Sequence, residues 1–256
     1  MANMGRRLPQ GIQEAGHEIR TFMPRFGLIN ERRNQLHEVI RLSGMNLIIN
    51  ETDHPLIIKV ASMQSCRMQV YFIDNDDYFT HRDLYCDKKG NEYEDNGERA
   101  LFFARGVAET IRKLRWVPDV IYCQGWFAAI APIFIRKHYG DDPCFRNCKI
   151  VTGLYDNPFV KPLPPTLATT IKCEGITKSD LAELRDKPVT HAMLSRLSIK
   201  FSDGVVVADP GIAPELVEYA QKLEKKILMA DDAELDIAKY DSFFDELAVP
   251  ADPAAE

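Results

Sequence analysis

The sequence lacks most of the features that would move it outside ordinary folded cytoplasmic proteins. None of its 256 residues form an apolar stretch long enough to span a bilayer, which argues against a membrane helix. Residues 1–10 lack the apolar run of a secretory signal, so a cytoplasmic protein is expected. Basic residues are outnumbered, with a net charge of -6 and no continuous basic run. Phosphate binding rests on excess Lys and Arg, so no nucleic-acid partner is expected. Of the six cysteines only Cys144 and Cys148 lie close, and no second Cys or His pair follows to complete a zinc site. They read as reduced thiols, and neither metal nor cofactor is expected. A Gly-rich phosphate loop, a nucleophile elbow and a Ser-His-Asp arrangement are also missing. The carboxylates Asp74, Asp76, Asp77, Glu92 and Glu94 fall in a polar stretch with nothing to raise a pKa, which argues against a glycosidase pair.

What is present is alternation, with 45% hydrophobic residues to build a core. Met4, Leu8, Ile12 and Ala15 recur at helical spacing and Gly16 ends the run. Strands are expected at 18–23, 38–42, 45–49, 56–61 and 68–73, a run without helices that reads as an antiparallel excursion. Residues 74–96 read as a long loop. Beyond it come a helix over 98–114, a strand over 120–123, a helix over 126–139, a strand over 149–155 and a Pro-rich loop over 157–165. A helix over 190–201, a strand over 204–208 and a helix over 212–223 follow. Strands separated by helices predict a Rossmann-like, doubly wound parallel α/β sheet. The division expected is one such domain over 1–230 and an acidic helix and tail over 231–256. Ligands of these sheets sit beyond the carboxyl ends of the strands, so the tips at 123–126, 154–157 and 208–211 matter most.

Several stretches, in order, carry a resemblance. Leu8-Pro9, the run Gly16-His17-Glu18-Ile19-Arg20 and Met23-Pro24-Arg25-Phe26-Gly27 come first. Tyr71-Phe72-Ile73-Asp74-Asn75, Tyr78-Phe79 and Leu84-Tyr85 follow. Next are Tyr93, Asp95-Asn96, Glu98-Arg99 and Phe102-Phe103, and then Trp116, Pro118-Asp119, Ile121 and Trp126. Phe201-Ser202-Asp203, Pro210, Ala213 and Glu215 complete the set. Together they resemble the N-terminal part of glycogen and starch synthases. The resemblance implies the N-terminal half of a GT-B fold and transfer of glucose from ADP-glucose to an α-1,4-glucan, with retention. It implies α-glucan and nucleotide-sugar partners. It also implies a strand and a Lys-Thr-Gly-Gly-Leu loop ahead of Met1, so the natural product is expected to start upstream. The donor-binding domain of that family would follow where this chain stops, which leaves room for a separate donor-domain protein. A non-catalytic glucan-binding or partner-binding relative is the alternative.

The resemblance also assigns residues. Asp95 matches an active-site Asp, the catalytic candidate, although Asp95 and Asn96 also suit a helix N-cap. Asn96, Arg99, Gln124, Trp126 and Asp156 are the substrate-binding candidates. From the residues alone Arg99 reads as a solvated helix charge and Trp126 as core, with sugar stacking the other reading. Gln124 and Gly125 stand where the family has a His and an Asp, and Tyr155-Asp156 stand in its "IHN". Gln124 can bond a hydroxyl but cannot titrate near neutrality.

Overall fold

The computed structural model describes residues 4–63, 68–230 and 234–248. The opening amphipathic run forms α1 (Met4–Glu14), which buries Met4, Leu8 and Ile12 as its spacing predicts. Gly16, with φ 111°, ends it in a conformation that favours glycine.

The expected antiparallel excursion builds a first, mixed sheet from β1 (Arg20–Pro24), β2 (His37–Glu38), β3 (Met45–Ile49), β4 (Thr52–Met63) and β5 (Met68–Asp74). Their order is β1-β5-β4-β2, and β3 also pairs with β4. Only β1 and β5 run parallel. On β4, Leu56, Ile58 and Val60 alternate inward, the period-2 pattern of a strand with one face on the core. The strand expected at 38–42 shrinks to His37–Glu38. Val39 still donates to Ile58 O, but the amides of Leu42 and Ser43 turn back to Val39 O and end the ladder.

The second sheet is wholly parallel: β6 (Val120–Gln124), β7 (Lys149–Leu154), β8 (Gly204–Val207) and β9 (Lys226–Met229), in that order. Strand β9 was not expected. It is short and partly exposed, and its apolar Ile227, Leu228 and Met229 follow directly on Lys225 and Lys226. Strands β7 and β8 are almost entirely buried because helices cover both faces. On one side lie α5 (His191–Lys200) and α6 (Pro214–Lys222), whose Ile199, Leu216 and Ala220 pack on Leu154, Val205 and Val207. On the other lie α1 and the acidic α7 (Ile237–Ala248), which buries Tyr240, Phe243 and Leu247 against Leu8, Val151 and Val206. A Cβ on Gly204 would sit 2.9 Å from Leu247 Cδ1, so the bare glycine allows that close approach. Strands β1 and β6 are each the last strand of their sheet, paired on one side only among the described residues.

Helix α2 (Asn96–Leu114) carries the main core, with Leu101, Phe102, Ala104 and Ile111 buried. The helix expected over 126–139 is broken. A 3-10 turn (Trp126–Ala128) leads into a short α3 (Ala131–Ile133) and then a wide π turn (Phe134–His138). Pro132, which has no N–H to give, lies in that stretch. A short α4 (Leu167–Ile171), also unexpected, covers the start of α2, where Leu167 lies against Gly97. Among the described residues no helix is long and apolar enough to cross a membrane.

Candidate functional site

Register alone brings the three expected strand tips together. Gln124 on β6 pairs with Gly153 on β7, and Leu154 with Val207 on β8. The chain turns sharply past β6 at Gly125, whose φ of 70° favours glycine, and Gly125 N donates to Gly153 O at 3.0 Å. Past β8, Gly211 lies so close to the Asp156 side chain that any Cβ there would overlap the carboxylate. The tips at 125, 156 and 211 therefore form one rim.

A solvent-open crevice of about 270 Å³ lies in this rim, with Gly125, Trp126, Gly153, His191, Ser195 and Ile212 among the residues that line it. Its enclosed part is no larger than one water. His191 is the first residue of α5, which Thr190 caps by accepting from Met193 N at 3.3 Å. The imidazole meets the Phe159 ring edge-on at 5.7 Å. Burial lowers the His191 pKa below the usual 6.5, and the negative Asp156 only partly offsets this. Beneath the crevice Thr152 Oγ1 bonds the hydroxyls of Ser198 and Ser202, both at 2.7 Å. The rim thus offers hydroxyls, an imidazole, an exposed carboxylate and backbone amides, which suits hydrogen bonding to a polyhydroxylated molecule. His191 was not a sequence candidate; the Thr190 cap that positions it was the available signal.

The sequence candidates divide. Asp156 stands on the rim and is exposed. Gln124 ends β6 opposite Gly153, half-buried, and does not line the crevice. Trp126 reaches the crevice with one edge but is only 3% exposed, packed against Tyr85 at 4.8 Å and Phe159 at 5.0 Å. Its burial matches the core reading.

Asp95, Asn96 and Arg99 form a second cluster at the start of α2. Asp95 makes no side-chain cap; Arg82 Nη1 donates to both its oxygens, at 2.7 and 2.6 Å. Arg99 is 0% exposed and not the solvated charge expected. Its guanidinium donates to the carbonyls of Tyr78, Asp83 and Leu84 and to Asn96 Oδ1, at 2.7 to 3.1 Å. Asn96 Nδ2 in turn holds Tyr85 O at 2.9 Å. Burial pushes the Arg99 pKa down to about 10. Asn96 and Arg99 therefore spend their hydrogen bonds on fixing the loop over 78–85. That segment lies in the stretch expected to be a long polar loop, where the structure instead forms a π turn, Asp76–Thr80, capped by Asn75, so the inward-facing partner was missed.

Among the described residues one group has metal-ligand types within reach, His17, Asp241 and Asp245. His17 Nε2 lies 3.0 Å from Asp241 Oδ1 and 3.7 Å from Asp245 Oδ1, so the group joins the turn after α1 to α7. It shares no residue with the crevice.

Comparisons with known proteins agree with this architecture. The family model described as the starch synthase catalytic domain matches residues 1–228. A glycogen synthase of Chlorobaculum parvum is 30% identical over 226 residues, covering 84% of this chain and 43% of that protein. One from Chlorobium phaeobacteroides is 36% identical over 157 residues, covering 61% and 32%. Among solved structures, the catalytic domain of starch synthase IV from Arabidopsis thaliana bound to ADP and acarbose superimposes with a TM-score of 0.65. Its identity is 16%, over 88% of this chain and 46% of that one, and the likeness is one of fold. The chain spans less than half the length of the relatives it matches.

Proposed function

Because the chain belongs to the starch synthase catalytic domain family, we propose that it serves α-glucan synthesis as the acceptor-facing half of a glucosyl transfer site. ADP-glucose is the donor and an α-1,4-glucan the acceptor. The gathering of the strand tips at Gly125, Asp156 and Gly211 on one rim carries this reading, because ligands of such sheets bind there. The groups on that rim bond sugar hydroxyls; they do not neutralise a diphosphate. Transfer needs fixed donors to meet the charge of the leaving diphosphate, and this electrostatic stabilisation dominates such catalysis. A donor-binding region outside these residues supplies them in this reading, and the site works in the cytoplasm. Asp95 is the catalytic candidate, and Gln124 and Asp156 contact substrate.

A second reading, a non-catalytic glucan-binding relative, is favoured by one contact: Arg82 already occupies both oxygens of Asp95. Mixing the purified chain with radiolabelled ADP-glucose and glycogen separates the two. Label transfer that an Asp95→Ala variant abolishes supports the enzyme. Co-sedimentation with glycogen without transfer supports the binding module. An absence of both rejects the glucan reading.

A further inference from the structure

We propose that His191 and Ser195 form a hydroxyl-binding notch that takes one hydroxyl group of a glucose ring. This rests on the glucan reading above and names the side chains that would recognise the sugar.

Ser195 carries the argument. It is 3% exposed and lines the crevice, yet its hydroxyl makes no side-chain hydrogen bond among the described residues. The neighbouring hydroxyls are all bonded: Thr152 Oγ1 meets those of Ser198 and Ser202, and Ser202 Oγ also donates to Ser198 O. Ser195 Oγ is not among the sealed-in polar atoms that lack a partner, so it opens on the crevice, where a hydroxyl can bond water or ligand. His191 lies one helical turn earlier on the same α5, at i and i+4, so both side chains project to one side. Its ring nitrogens are likewise unbonded among the described residues, while the ring is held against Phe159 in an edge-to-face contact.

The chemistry selects a neutral polyol over an anion. The exposed Asp156 carboxylate stands on the rim beside Gly211, and a carboxylate there repels phosphate. A neutral imidazole both donates and accepts, which suits an alcohol. The enclosed space admits a hydroxyl and not a ring, so the pyranose lies across the mouth with one hydroxyl inserted. An edge of Trp126 and the bare backbone at Gly125 and Gly153 border that mouth.

The test is maltotriose titration of the full chain, followed through the histidine side-chain NMR signals, with ADP-glucose titrated separately. Maltotriose is expected to shift the His191 signal. Ser195→Ala is expected to weaken maltotriose binding about tenfold and to leave thermal stability unchanged, since that hydroxyl supports nothing in the fold. His191→Ala weakens it similarly, and His191→Gln, which keeps a donor and an acceptor, recovers part of the loss. Saturable maltotriose binding with the His191 signal unmoved and both alanine variants unaffected overturns the notch and leaves the glucan reading standing. A chain that binds neither maltotriose nor ADP-glucose overturns both.

Discussion

Arg82 grips both carboxylate oxygens of Asp95 through a single guanidinium nitrogen, at 2.7 and 2.6 Å, with both side chains partly open to solvent. The contact ties the loop before α2 to the start of that helix. Because both partners are partly hydrated, their coupling is expected to be about 1 kcal/mol or less. A double-mutant cycle with Arg82→Ala and Asp95→Ala, read by urea denaturation, measures it. A coupling several times larger would mean the pair is shielded from water.

Arg99 is a different case, since its charge is fully enclosed and its donors end on carbonyl oxygens. Arg99→Lys keeps the charge but loses the planar fork, leaving buried carbonyls unbonded. A destabilisation of about 2–4 kcal/mol is expected, and Arg99→Ala should exceed it. Equilibrium unfolding checks both. A loss of sugar binding without loss of stability would show that Arg99 touches ligand after all.

The His191 pKa lies below its ordinary 6.5, so the unfolded chain takes up this proton first on acidification. Stability should therefore fall as pH drops below that value and level off once the folded-state pKa is passed. His191→Gln is expected to flatten this part of the stability-versus-pH curve, measured by thermal denaturation. An unchanged slope would place the imidazole in water.

Phe243 and Leu247 of α7 fill the face of the second sheet beside the bare Gly204. Phe243→Ala is expected to cost about 3–5 kcal/mol, and Leu247→Ala about 2–4. Gly204→Ala should also destabilise, because its Cβ would press on both side chains. Chemical denaturation distinguishes this from a loosely attached helix, for which all three changes would be near neutral.

The period of the apolar residues made much of this architecture legible. Met4, Leu8 and Ile12 mark α1, Leu56, Ile58 and Val60 mark β4, and the strand tips follow from parallel pairing. What stayed hidden depended on contacts distant in sequence. Arg99 reads as a surface charge until the loop over 78–85 folds over it and supplies carbonyls. His191 reads as an ordinary first-turn residue until β7 brings Asp156 and Phe159 to it. Ile40 lies in a run that looks like a strand, yet Leu42 and Ser43 turn back on Val39 and end it.

The pairing of α1 with α7 has a bearing on biosynthesis. The outer cover of the parallel sheet joins Leu8 to Phe243, two residues separated by nearly the whole chain. Such long-range closure slows folding. During translation the inner strands must wait, half-wrapped, until the ribosome has released residue 247. A chaperone that shields Val151 and Val206 in that interval would be most needed by this face of the molecule.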